Sequence, residues 1–193
     1  DTGNALEMLL AIKRLGPRRL ERLFGPGERL PERNRRTPMV PSNTIVDVEA
    51  RTDVLVKNLP LALRTALKAK DLIACVATTD VHEWGKLGLE RAFEQLGVAV
   101  VDAGVNADPD HVVRCAREQG ADFIALSTYN GIALTYARAL RQAMSTAALD
   151  VPVYLGGRLN QVPEGSNTSL PVDVTDKLRE VGCQPCGDVE EML

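Results

Sequence analysis

From Asp71 to the carboxyl end, short apolar runs alternate with stretches whose apolar residues recur at helical spacing. Asp71–Ala77 is a short apolar run of the length of a buried strand. Leu87–Leu96 follows, apolar at 87, 89, 92, 93 and 96, which is one face of a helix. Val98–Ala103 predicts the second strand. Asp108-Pro109-Asp110 then opens a helix, with a capping carboxylate, a proline in the first turn and negative charge at the positive dipole end. Asp122–Leu126 and Val151–Leu155 predict the third and fourth strands, with a helix over Gly131–Met144 between them. A last helix is expected over Val174–Val181 and a fifth strand over Gln184–Asp188. Strand and helix in strict alternation predict an α/β fold with a doubly wound, five-stranded parallel sheet.

The first third reads differently. Residues 2–15 predict a helix capped by Thr2 and carrying Leu6, Leu9 and Leu10; Gly16-Pro17 stops it. A second short helix runs through Leu20, Leu23 and Phe24 to Gly25, and Pro26–Pro41 is a Pro- and Arg-rich linker without period. Residues 44–58 admit two readings. Val46, Val48, Val54 and Val56 alternate as in a strand, while Ile45, Val48, Thr52 and Leu55 follow a helix, which is the reading favoured. Pro60–Lys70 predicts a short helix leading into the first strand. The chain thus divides into an N-terminal helical and extended appendage, residues 1–69, and a flavodoxin-like or Rossmann-like domain, residues 70–193.

Composition narrows the function. The chain has 193 residues and 45% apolar content, enough for a real core. No run of 18 apolar residues exists and no signal peptide opens the chain, so neither a membrane span nor a membrane partner is expected. The first residue is Asp, so a piece of a longer or processed protein is expected. Net charge is −3, but residues 1–37 carry nine Lys/Arg against five Asp/Glu. Such a leader is a solvated face or a dock for an acidic partner or coenzyme phosphate; without interleaved aromatics it does not predict nucleic acid. Four scattered cysteines make no disulfide framework and fit a reducing cytoplasm. Cys75 and Cys115 are expected buried and inert, and Cys183 and Cys186 are expected to be two thiols near the last strand. His111 is expected on the solvated surface.

The chemistry concentrates on Thr78–Leu87, the loop after the first strand. Open parallel sheets bind ligands at such carboxyl ends. There Asp80 precedes His82 by two residues, and a carboxylate beside an imidazole can hold one ring nitrogen and aim the other at a metal. Asp80, His82 and Gly85 form an Asp-x-His-x-x-Gly pattern, Ser127-Thr-Tyr129 ends the third strand, and Gly156-Gly157 ends the fourth. In this order the three resemble the signatures of the cobalamin (vitamin B12)-binding domain. The resemblance covers residues 70–193 and is nearest to the small subunit of glutamate mutase, with likeness also to corrinoid methyltransferase domains.

The resemblance implies that His82 is the lower axial cobalt ligand, displacing the cofactor's own benzimidazole. Thr79, Asp80, Val81, Glu83, Gly85, Ser127, Thr128, Tyr129, Gly156, Gly157, Arg158, Leu159 and Asn160 would line the remainder of the site. No catalytic residue is evident. Implied cofactors are adenosylcobalamin or methylcobalamin, and the implied partner is a substrate-binding barrel on another subunit or domain. A mutase component is favoured, because residues 1–70 hold one aromatic, Phe24, and match poorly the helical cap of methyl carriers. A corrinoid methyl carrier and a cobalamin-sensing regulator are the alternatives. Tyr129 and Trp84 depart from the family pattern.

Overall fold

The computed structural model describes residues 42–163 and 170–192. The helices expected over 2–25 and the linker after them lie outside these residues.

The ambiguous segment is a helix, α1, Ser42–Asn58. Thr52 and Val56, four apart, are buried, while Val46 and Val54 are exposed. Burial therefore follows the helical period and leaves two of the alternating valines in water. α2, Leu61–Lys70, ends at Asp71 in the left-handed conformation, φ 50°.

The alternation then unfolds as expected: β1 Ile73–Thr78, α3 Trp84–Gln95, β2 Ala99–Gly104, α4 Pro109–Gln119, β3 Phe123–Thr128, α5 Ala133–Thr146 and β4 Val153–Gly157. The short strands β5 Asn160–Gln161 and β6 Val172–Asp173 pair antiparallel, a hairpin that the sequence pattern does not announce. α6 Thr175–Glu180, β7 Gln184–Cys186 and a closing turn, α7 Val189–Met192, complete the described chain. The main sheet has the order β2-β1-β3-β4-β7, all parallel. Direction of progress reverses between β1 and β3, and that switch point opens a crevice at the strands' carboxyl ends.

β1 is buried at every position and feeds both layers. Ile73, Cys75 and Ala77 face a core with Val112, Leu134, Leu140 and Leu178 from α4, α5 and α6. Ala74 and Val76 face Val56, Phe93 and Met192 from α1, α3 and α7. No helix among the described residues is long and apolar enough to cross a membrane.

Three expectations shift. The helix after β1 starts at Trp84 rather than Leu87, so the loop shortens to Thr79–Glu83. Trp84, Gly85 and Lys86 carry no apolar helical period, and Lys86 enters the helix buried because its ammonium meets Glu90 at 2.7 Å and Asp102 at 2.9 Å. Cys115 is half-buried, its sulfur 3.4 Å from His111 Nε2, and His111 is itself half-buried, with Nδ1 accepting from Arg114 at 2.7 Å. Cys75, Cys183 and Cys186 are buried free thiols, pushed up in pKa by burial.

Candidate functional site

Asp80 stands at the head of β1, 4% exposed, and its two oxygens serve two loops. Oδ1 accepts the backbone N–H of His82 at 2.9 Å and meets ring Nδ1 at 2.7 Å. Oδ2 accepts the N–H groups of Tyr129 at 2.7 Å and Asn130 at 3.0 Å, on the loop after β3. Burial alone would raise this carboxyl. The His82 N–H, the His82 ring and the two β3-loop N–H groups outweigh it and hold the carboxyl below its ordinary range. Asp80 thereby ties together the two lips of the crevice.

With Nδ1 committed to a carboxylate, the His82 ring carries its proton there and keeps the lone pair on Nε2. Nε2 has no hydrogen-bond partner among the described residues. Two aromatic rings pack against the imidazole: Trp84 lies 4.8 Å and Tyr129 4.4 Å from it, centroid to centroid, both tilted. Trp84 and Tyr129 meet edge to face at 5.6 Å, and the Arg158 guanidinium stands 4.4 Å over the Tyr129 ring. Three loops are thus interlocked around one imidazole.

Beneath it the strand ends are lined with hydroxyls. Thr79 Oγ1 and Thr128 Oγ1 are 2.8 Å apart, and Thr78 Oγ1 donates to the Asp80 carbonyl. Gly85, in the first turn of α3, lies where a Cβ would collide with Ser127 Oγ. Gly157 has φ +100°, and a Cβ there would strike the Thr128 carbonyl, so glycine is required twice over. Gly156 lies beside Met192 and Cys186 on the strand's buried side. Asn160 Oδ1 is buried without a hydrogen-bond partner. Val81 is exposed on the rim, whereas Glu83 is buried where α3 begins and Leu159 packs on the core.

Of the predicted residues, Thr79, Asp80, His82, Gly85, Ser127, Thr128, Tyr129, Gly157 and Arg158 converge on the switch point. Trp84 and the Asn130 N–H belong with them and escape the motif. Trp84 is the chain's sole tryptophan, two residues after the histidine, a signal that was available; a backbone N–H leaves none.

Residues 70–174 match the B12 binding domain, more than half of the chain and all of the crevice. The chain belongs to the B12-binding domain family. The chain is 36% identical over 90 residues to glutamate mutase sigma subunit 2 of Haloarcula marismortui, spanning 47% of this chain and 61% of that protein. It is 31% identical over 94 residues to the glutamate mutase sigma subunit of Clostridium cochlearium, spanning 48% and 69%. The Escherichia coli O157:H7 sigma subunit is 28% identical over 131 residues, 65% of this chain and 85% of its own. The chain thus spans about six-tenths of the length of the Haloarcula relative. A crystal structure of a cobalamin-binding protein from Desulfitobacterium hafniense DCB-2 shares the fold, with TM-score 0.54 and 21% identity over 77% of this chain and 67% of that one.

The residues present fit a corrin cofactor. A neutral imidazole with its lone pair on an unengaged Nε2 is a cobalt-type ligand, and the orphaned Asn160 oxygen is an acceptor awaiting a donor.

Proposed function

We propose that this chain is the cobalamin-carrying component of an adenosylcobalamin-dependent carbon-skeleton mutase of the glutamate mutase kind. The observation that carries the reading is the Asp80–His82 pair, 2.7 Å apart, with Nε2 without a hydrogen-bond partner among the described residues. His82 Nε2 would be the protein's ligand to the cobalt. Asp80 sets the tautomer and orientation of that ligand and strengthens its donation. Thr79, Ser127, Thr128 and Asn160 would hydrogen-bond the cofactor's nucleotide tail, Gly85 would let α3 start close to it, and Gly156 and Gly157 would keep the end of β4 free of side chains there. Val81, Glu83, Tyr129, Arg158 and Leu159 complete the proposed surroundings. Once bound, adenosylcobalamin supplies a weak cobalt–carbon bond whose homolysis starts radical chemistry.

The chain's own residues bind and orient; no acid–base pair for a substrate is apparent at the described site. A substrate-binding barrel, on another chain or further segment, is therefore the proposed partner, and the cytoplasm the proposed compartment. Residues 70–193 are the proposed cofactor domain and 1–69 its extension. Sigma-subunit names among the relatives support the mutase reading.

The test is electron paramagnetic resonance of the protein loaded with reduced, cobalt(II) cobalamin. Nitrogen coupling should change when histidine is labelled with nitrogen-15, and His82→Ala should abolish that change. A labelled spectrum identical to the unlabelled one would remove His82 as ligand.

A further inference from the structure

Two clefts lie apart from the cobalamin site. The larger, about 630 Å³, runs along α4 and α5 and mixes Asp108 and Asp110 with His111 and Arg114. The other, about 340 Å³, lies between α1, α2 and the end of α3 and is lined by Asp53, Lys57, Arg64, Thr65, Lys68 and Gln95 among others. We propose that this second cleft is a binding site for a phosphate or diphosphate group.

Its charge is one-sided. Asp53 is the one acid in the lining, and it is already engaged: Arg91 donates to it from Nε at 2.9 Å and from Nη2 at 3.1 Å, and Gln95 donates as well. Lys57, Arg64 and Lys68 form no ion pair or hydrogen bond through their side chains among the described residues. Arg64 Nε is buried and unsatisfied, a donor whose desolvation nothing offsets. Lys68 is exposed, and the base of its stem lies beside Gly97, where an added Cβ would be 3.0 Å from Lys68 Cγ. Three cations without an ion pair among the described residues, one a guanidinium with its fork geometry, match the charge and oxygen pattern of a phosphate better than a single carboxylate. All three precede residues 70–174, so the family match does not account for them.

The experiment is calorimetric titration of the whole chain with pyrophosphate, with citrate as an anion of comparable charge but planar carboxylates. In parallel, the Arg64 Nε–H resonance is followed by NMR. Saturable pyrophosphate binding is expected, tighter than citrate, weakened by salt and shifting the Arg64 resonance. Arg64→Gln should weaken it about tenfold or more, the loss of a charge-assisted hydrogen bond. Lys68→Gln, on an exposed residue, should weaken it severalfold. Both variants should keep their cobalamin spectrum, which reports the fold independently of the anion. Absence of saturable binding, equal binding of citrate, or unchanged affinity in both variants would overturn the proposal. None of these outcomes touches the cobalamin reading.

Discussion

Asp80 spends each of its oxygens on a different loop, and that division makes its replacement informative. In Asp80→Asn one oxygen becomes an NH₂ group, so either the His82 side or the Tyr129/Asn130 side faces a donor instead of an acceptor. Cobalamin affinity should fall roughly 10–100-fold, the usual cost of losing the partner of a metal-binding histidine, as read by spectral titration. The pH dependence has a definite sign. The folded carboxyl is held low, so its contribution is complete above the unfolded carboxylate value and is lost as pH falls through that value toward the folded one. Urea unfolding should therefore show a stability gap between wild type and Asp80→Asn that shrinks as pH falls below about pH 4. A gap that widened below about pH 4 would contradict the charge assignment. Trp84 and Tyr129 act at this scale too, since their rings pack against the imidazole.

Two glycines show how elements are brought together, and they should fail differently. Gly85 lets the first turn of α3 close on Ser127, where the obstacle is a side chain. Gly85→Ala should cost about 1–3 kcal/mol of unfolding free energy, and Ser127→Gly in the same chain should recover part of it. Gly157 meets the Thr128 backbone from a left-handed conformation, so Gly157→Ala should cost at least as much, with no side-chain change able to rescue it. Equal rescue at both positions would mean that the two contacts had been misread. The strand ends that these glycines adjoin were legible, because β1, β3 and β4 are short apolar runs closed by Ser, Thr or Gly. Helix α1 was half legible: its valines alternate like a strand, and only packing on α3 decides between the periods. The start of α3 was not legible, because burial of Lys86 depends on Asp102, a residue on the next strand. The aromatic clasp on His82 was hidden for the same reason. Its members come from positions 82, 84, 129 and 158, and no local pattern joins them.

At the scale of the whole molecule, the end of α1 and the residue that follows it, both before the family match, are part of the core. Val56 and Leu59 are buried in the layer that holds Phe93 and Met192. Leu59→Ala should therefore cost about 2–5 kcal/mol in one cooperative urea transition; a loss confined to a separate early transition would make the appendage independent. What the assembled molecule does depends on what meets its carboxyl edge. Around His82 that edge is rimmed by Val81, Trp84 and Tyr129, exposed by 54%, 38% and 38%. Such a rim suits a surface completed by a second protein, as a mutase component requires. The isolated chain should then bind adenosylcobalamin and leave its spectrum unchanged in the dark. Addition of a barrel partner with its substrate should produce a cobalt-centred paramagnetic signal that neither addition alone gives. A methyl carrier behaves otherwise: reduced to cobalt(I), it accepts a methyl group and passes it to an acceptor without any such signal. Offering both cofactor forms with extract of the source cells, under optical and paramagnetic detection, separates the two. Methyl turnover with no substrate-dependent paramagnetic signal would replace the mutase reading by the carrier and leave the fold and the Asp80–His82 pair as they are, because both chemistries place the same demand on the imidazole.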